Sequence, residues 1–337
     1  MTNNNGRNSN FEVIRLLAIL MITAYHYVVH GVQDPVGGGN LLYCSSLWGK
    51  AGVNLFCLLT GYMLIGKDEI KYSRLKTVEG QVLFYTLSGL LVGFILHKYI
   101  GPGVIYYSVL PVISGHYWYI TAYFIVFLLS PYINKLLQSI EKQSFKRLLL
   151  VCYVVWCIIP FFTLRENDGL FWNQFIWFVV MYMTGAYLKL YDSIFSRRTY
   201  IYAELAANLL LISSVFAIEW LAGIKEEATP FITYFRWSNS PLIVIICVGM
   251  MRLASMAPFR SIGWINFLAS LVLGIYLFQE NKFYQDILWH DLFNNSVPTT
   301  DFARFLHLIG SVLGVVIIGG IIEFIRVKIF KIIRITK

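Results

Sequence analysis

The chain is poor in charge. Asp, Glu, Lys and Arg supply 13% of its 337 residues, about half the roughly 25% of ordinary soluble domains. Too little polar surface is available to cover a water-soluble globule of this length, so that architecture is excluded. Proline- and serine-rich linkers are missing and connecting segments are short, so residues 1–337 are expected to form one membrane-embedded domain. The five cysteines, Cys44, Cys57, Cys152, Cys157 and Cys247, show neither CxxC nor Cys/His spacing. All but Cys44 fall in apolar stretches and read as small buried or lipid-facing side chains. The six histidines are scattered without an HExxH pattern, and no metal site is expected. A phosphate-cradling GxGxxG or P-loop is also lacking. No A-x-A-like cleavage site accompanies the first apolar run, which therefore reads as a retained span.

What the chain has is apolar length. Hydrophobic residues make up 58%, against roughly 45–50% in soluble domains, and they recur in runs along the whole sequence. A helix needs roughly 20 apolar residues to cross the hydrocarbon core, and about ten candidate spans meet that measure. They are Phe11 to His30, Trp48 to Gly66, Gln81 to Tyr99, His116 to Leu137, Leu148 to Leu164, Phe171 to Leu190, Tyr200 to Ala222, Phe231 to Met250, Ile262 to Gln279 and Phe302 to Ile325. The eighth is interrupted by Arg236, Asn239 and Pro241, and the ninth is short unless it continues through Glu280.

A net charge of +9 would point to nucleic acid in a soluble protein, but here the side on which the basic residues lie matters more than their sum, and no nucleic-acid partner is expected. With the N-terminus inside, 19 of the 27 Lys and Arg fall in cytoplasmic segments and 6 in outer ones, Arg165 among the outer and Arg334 and Lys337 among the inner. That bias orients the chain. The expected fold is an all-α, polytopic integral membrane protein of about ten helices with both termini cytoplasmic, and no inverted repeat of the secondary-transporter kind is visible.

Two ionisable residues sit in the first span. Ser9 and Glu12 have the capping-box spacing, which predicts a helix start near Asn10. Arg15 follows in the second turn, near the cytoplasmic face. His26 lies about three turns further on, on the same face and about 16 Å along the axis. Ionisable groups in a bilayer cost a few kcal/mol and tend to face a polar cavity. Two readings are open for each: Arg15 snorkels to the headgroups or binds an anion, and His26 is an interfacial histidine or a base that takes a proton from a hydroxyl. Together the pair suits a donor that is phosphorylated at its cytoplasmic end and reactive deeper in the membrane, which is the shape of an acyl-coenzyme A.

With these residues the chain resembles the acyltransferase 3 family, membrane-bound O-acyltransferases that include enzymes acetylating bacterial surface polysaccharides. Arg15, ten residues and His26 repeat the family pattern in the first helix. Gly52 to Leu64 is similar to the family segment that ends in Ser-Gly-Tyr, with Thr60 in place of the serine. His116-Tyr117-Trp118-Tyr119 with Pro131, Trp177-Phe178 through Tyr187, and Ser238-Asn239-Ser240-Pro241 resemble family segments in the same order. Leu273 to Asn281, followed by Leu288-Trp289, is similar to a stretch that carries histidine where this chain has Gln279.

The resemblance implies that Arg15 contacts acyl-CoA and His26 is catalytic. It also implies transfer of an acyl group, acetyl foremost, from cytoplasmic acetyl-CoA to a hydroxyl of a cell-surface glycan or its lipid-linked precursor, in a bacterial plasma membrane. Direct attack by the hydroxyl and a covalent acyl-enzyme relay are both open. Arg74 reads either as a second CoA contact or as a positive-inside loop charge. Arg236, Trp237 and Asn239 read either as an acceptor groove or as an outer anchor. His116 and Trp118 either approach His26 or belong to the aromatic belt, and Gln279 and Glu280 are candidates for the acceptor side. A multi-pass transporter or flippase for a polar substrate is the alternative from another class.

Overall fold

A computed structural model describes residues 6–32, 40–67, 69–164, 173–193, 195–295, 297–298 and 300–333. Among them the regular structure is entirely helical. Phe171, the expected start of the sixth span, lies outside the described residues, as do Arg165, Arg334 and Lys337 of the charge count. The principal helices are α1 (Ser9–Gly31), α2 (Gly49–Leu64), α3 (Tyr72–Ile95), α4 (Trp118–Ser139), α5 (Lys142–Thr163), α6 (Gln174–Leu190), α7 (Arg197–Ala222), α8 (Pro241–Ser255), α9 (Gly263–Ser270), α10 (Val272–Glu280) and α11 (Asp301–Ile332). Among the described residues, seven segments are long and apolar enough to cross a bilayer: α1, α3, α4, α5, α7, α11 and the stretch Glu226–Ser255 that ends in α8. The expected second and sixth spans are the shorter helices α2 and α6, and the ninth is broken at Leu271 into α9 and α10. The outward faces carry Phe94, Tyr202, Leu209 and Ile317 at 60–71% exposure, a pattern suited to a lipid surround. The chain is an all-α polytopic membrane protein.

Several expected boundaries move. α3, α5 and α11 run past the hydrocarbon length, so Arg74, Lys142, Lys146 and Arg326 sit on helical turns where loops are expected. Hydropathy registers only the apolar part of a helix, whereas the backbone ladder continues for as long as its donors and acceptors are paired. The eighth span forms as two 3₁₀ turns, Glu226–Phe231 and Tyr234–Arg236, followed by α8. Pro241, which lacks an N–H and disfavours helix in the residue before it, occupies the first helical position. α5 contains a π-turn at Val154–Ile158 just before Pro160. Pro160 has no hydrogen to give the carbonyl of Trp156, and the Asn239 amide donates to that oxygen instead at 3.0 Å.

The N-terminus of α1 is capped by Asn8, whose side chain accepts from the Asn10 amide, not by Ser9. The Ser9 hydroxyl is otherwise engaged: it donates to Asn266 Oδ1 at 2.8 Å and accepts from the Ile262 amide at 2.7 Å, pinning α1 to the start of α9. Glu12, freed of a capping task, turns to arginine.

α2 and α6 cross with their backbones in close approach. A Cβ on Gly61 would collide with the Tyr182 carbonyl, and one on Gly185 with that of Leu58. The glycine of the Thr60-Gly61-Tyr62 segment is thus a backbone-approach residue. Polar ties surround this crossing: Trp177 Nε1 donates to Asn54 Oδ1 at 3.0 Å, Tyr182 to Asn134 Oδ1 at 2.7 Å, and Asn134 to the Leu64 carbonyl at 2.8 Å. A second lock joins α3 to α11. Glu323 is 1% exposed and accepts from Gln81, Tyr85 and two nitrogens of Arg326, which lies one turn on.

Candidate active site

α1, α2, α3, α4 and α10 enclose a cavity of about 610 Å³. Its two ends differ in chemistry. At one, Arg15 Nη1 donates to Glu12 Oε1 at 2.7 Å, and Arg7 Nε lies 3.5 Å from the same oxygen. Arg74, in the first turn of α3, spreads its guanidinium over the rings of Tyr123 and Phe127 at 5.9 and 5.6 Å. Two cations share the Glu12 carboxylate and Arg74 adds a third to the cavity lining, which leaves an excess of positive charge, and the guanidinium fork matches phosphate oxygens.

At the other end His26, 8% exposed, places Nε2 3.2 Å from Glu280 Oε2. The His30 ring lies 4.9 Å from that of His26, and the Lys50 ammonium sits 5.0 Å from the centre of the Tyr25 ring. Between the ends run Ile22, Val53, Phe56, Leu59, Met63 and Leu273, an apolar passage suited to a flexible arm with little charge. A carboxylate at 3.2 Å stabilises the imidazolium that forms when the ring takes a proton, which is the task of the carboxylate in hydrolase triads.

Tyr276 faces the same cavity one turn before Glu280 on α10, and its hydroxyl is buried without a hydrogen-bond partner among the described residues. A buried hydroxyl left unpaired costs about 1–3 kcal/mol, so such a donor on a residue of the cavity wall is a group awaiting an acceptor.

A second cavity of about 340 Å³ shares Tyr25, Lys50, Val53 and Trp118 with the first. Its own lining is aromatic and amide-rich: Trp177, Trp237, Asn54, Gln174 and Asn239, with Arg236 at its edge. Arg236 donates to Ser46 at 2.6 Å and lies over the Tyr25 ring at 5.2 Å.

The sequence-derived candidates sort accordingly. Arg15, His26, Arg74, Trp118 and Glu280 meet in the first cavity, and Trp118, Arg236 and Asn239 line the second. Asn239 is 1% exposed, with its amide nitrogen spent on Trp156. Gln279 is fully buried beside Glu280 and lines neither cavity. His116 is exposed, stacked on Tyr107 at 5.9 Å, and also lines neither. Of its two sequence readings, the approach to His26 is the one the structure does not bring about, because the chain reverses at Gly115 with positive φ and α4 starts only at Trp118, leaving His116 exposed. Sequence reasoning missed Tyr276, Lys50 and Arg7. Tyr276 carried a usable signal, since it stands four residues before Glu280 and so shares its helix face.

No curated protein and no solved structure matches the chain. A family model described as an acyltransferase domain matches residues 8–324. That range takes in every lining residue of both cavities except Arg7 and sets aside the transporter alternative. The chain belongs to the acyltransferase 3 family and is a membrane acyltransferase.

Proposed function

We propose that the protein transfers an acyl group, acetyl foremost, from acyl-CoA entering at the arginine end of the first cavity to a hydroxyl of a glycan, or of its lipid-linked precursor, held in the second. The arginine end then faces the cytoplasm, with both termini on that side. The observation that carries this reading is the polarity of one cavity: Arg7, Arg15 and Arg74 at one end, His26 with Glu280 at the other, and an apolar passage between.

In this reading the CoA phosphates bind Arg15 and Arg74, and the pantetheine arm threads the passage to bring its thioester to His26. The acceptor hydroxyl reaches the carbonyl across the shared wall. As its oxygen bonds to the acyl carbon, the proton passes to His26, whose imidazolium is held by Glu280. Tyr276 donates to the oxyanion of the tetrahedral intermediate, which collapses as the C–S bond breaks. His26 then returns the proton to the departing thiolate, leaving an ester and free CoA. Direct attack is favoured over an acyl-enzyme because the two cavities adjoin beside His26, so donor and acceptor need no intermediate carrier.

The test is transfer from radiolabelled acetyl-CoA in membrane vesicles carrying the native glycan. The label should enter glycan with wild-type protein and not with His26→Ala or Arg15→Ala. Full transfer by both variants would falsify the site, and acceptor-independent release of CoA by wild type would remove the glycan.

A further inference from the structure

We propose that the outer end of the first cavity is also a binding site for a divalent transition metal of the zinc class, formed by His26, His30 and Glu280. One ligand atom from each lies within 4.8 Å of the other two. In a tetrahedral zinc site, bonds of about 2.0–2.2 Å put neighbouring ligand atoms about 3.4 Å apart. His26 Nε2 and Glu280 Oε2, at 3.2 Å, already have that spacing. His30 needs only a side-chain adjustment to close the other two edges, and as a half-buried residue at the cavity rim it has room to make one.

Two further features point to a ligand. His26 and His30 are spaced i, i+4 on α1 and so project from one helix face, the arrangement that lets a single helix supply two imidazoles. Glu280 Oε2 is buried and, although it lies 3.2 Å from His26 Nε2, it accepts no hydrogen bond among the described residues, so a lone pair is available to a cation shared with the imidazole. Two histidines and one carboxylate suit zinc, with open positions left for water. The charged group facing the trio is Lys50, whose ammonium acts on all three residues. It opposes a cation there and sets the affinity below that of a dedicated metal centre.

The binding follows from geometry alone. Its consequence rests on the proposed role of His26: zinc on the imidazole removes the lone pair that would take the acceptor proton, so the metal switches transfer off and a chelator restores it. The site is thus inhibitory, a means by which metal outside the membrane governs glycan modification.

The experiment separates the two parts. Zinc binding is titrated calorimetrically on the purified full-length protein in detergent, for wild type, His30→Ala and Lys50→Gln. Transfer from radiolabelled acetyl-CoA is measured in parallel in vesicles, each protein referred to its own zinc-free rate. Wild type is expected to bind one zinc per chain, His30→Ala at least tenfold more weakly and Lys50→Gln more tightly, with inhibition curves displaced in the same directions. Equal zinc affinity in wild type and His30→Ala overturns the site. Specific binding that leaves transfer at full rate upholds the site and overturns His26 as the base.

Discussion

The imidazole of His26, on the first helix, and the carboxylate of Glu280, near the other end of the chain, lie 3.2 Å apart in the same cavity. Glu280→Gln preserves shape and removes charge. We expect kcat to fall on the order of 100-fold with KM for acetyl-CoA nearly constant, because the carboxylate acts on the imidazolium that forms during transfer and not on the donor. Steady-state kinetics of both substrates check this, and an unchanged kcat would take Glu280 out of the reaction.

Arg15 differs in what it should control. Its guanidinium is held at 2.7 Å by Glu12, so its fork is oriented before any ligand arrives. Loss of a charge-assisted contact of about 1.5–3 kcal/mol corresponds to a binding loss of roughly 10- to 100-fold. Arg15→Ala should weaken equilibrium binding of free CoA by that factor. Arg15→Lys, which keeps the charge but not the fork, should lie nearer the lower figure, and Glu12→Gln should show part of the defect. CoA binding that is indifferent to all three changes would relocate the donor.

Tyr276→Phe deletes one oxygen that has no partner among the described residues. A structural hydroxyl would leave a melting-temperature signature, whereas an oxyanion donor leaves a kinetic one. We expect thermal stability equal to or slightly above wild type, KM unchanged, and kcat lower by about 100-fold, in the range seen for removal of one such donor. A stability loss with normal turnover would reverse the assignment.

The Glu323 lock offers a contrast between breaking and replacing a buried pair. Glu323→Ala leaves Arg326 charged and 5% exposed, a situation that costs about 3–5 kcal/mol. The double change Glu323→Met with Arg326→Met removes both charges and should recover most of the lost stability. Unfolding of the detergent-solubilised variants tells them apart; a double variant no better than the single one would mean that Gln81 and Tyr85, not the charge pair, bear the stability.

Much of the fold was legible because a bilayer imposes length: helix positions followed from hydropathy. Helix ends did not, since Lys142, Lys146 and Arg326 lie on turns beyond the apolar window. The site was legible in Arg15 and His26, where two costly residues share one helix face. Glu280 was visible as a polar residue at a span end, but its contact with His26 depends on how α10 packs against α1, which no periodicity encodes. His116 stayed open between two readings for the converse reason, because adjacency to a span end says nothing about which way the preceding turn points. Glu12 was misassigned because a capping box and an i, i+3 ion pair share the same spacing.

The wall shared by the two cavities has a further consequence. Tyr25, Lys50, Val53 and Trp118 line both spaces, so in the proposed arrangement, with the first cavity open to the cytoplasm and the second to the outside, the insulator of about 30 Å is thinned at the side chains the two share. A membrane holding a voltage drops much of it across whatever is thinnest between two wet compartments. In that arrangement those four residues hold back protons and ions between turnovers, with the indole of Trp118 and the ring of Tyr25 as an electrical seal as much as a partition.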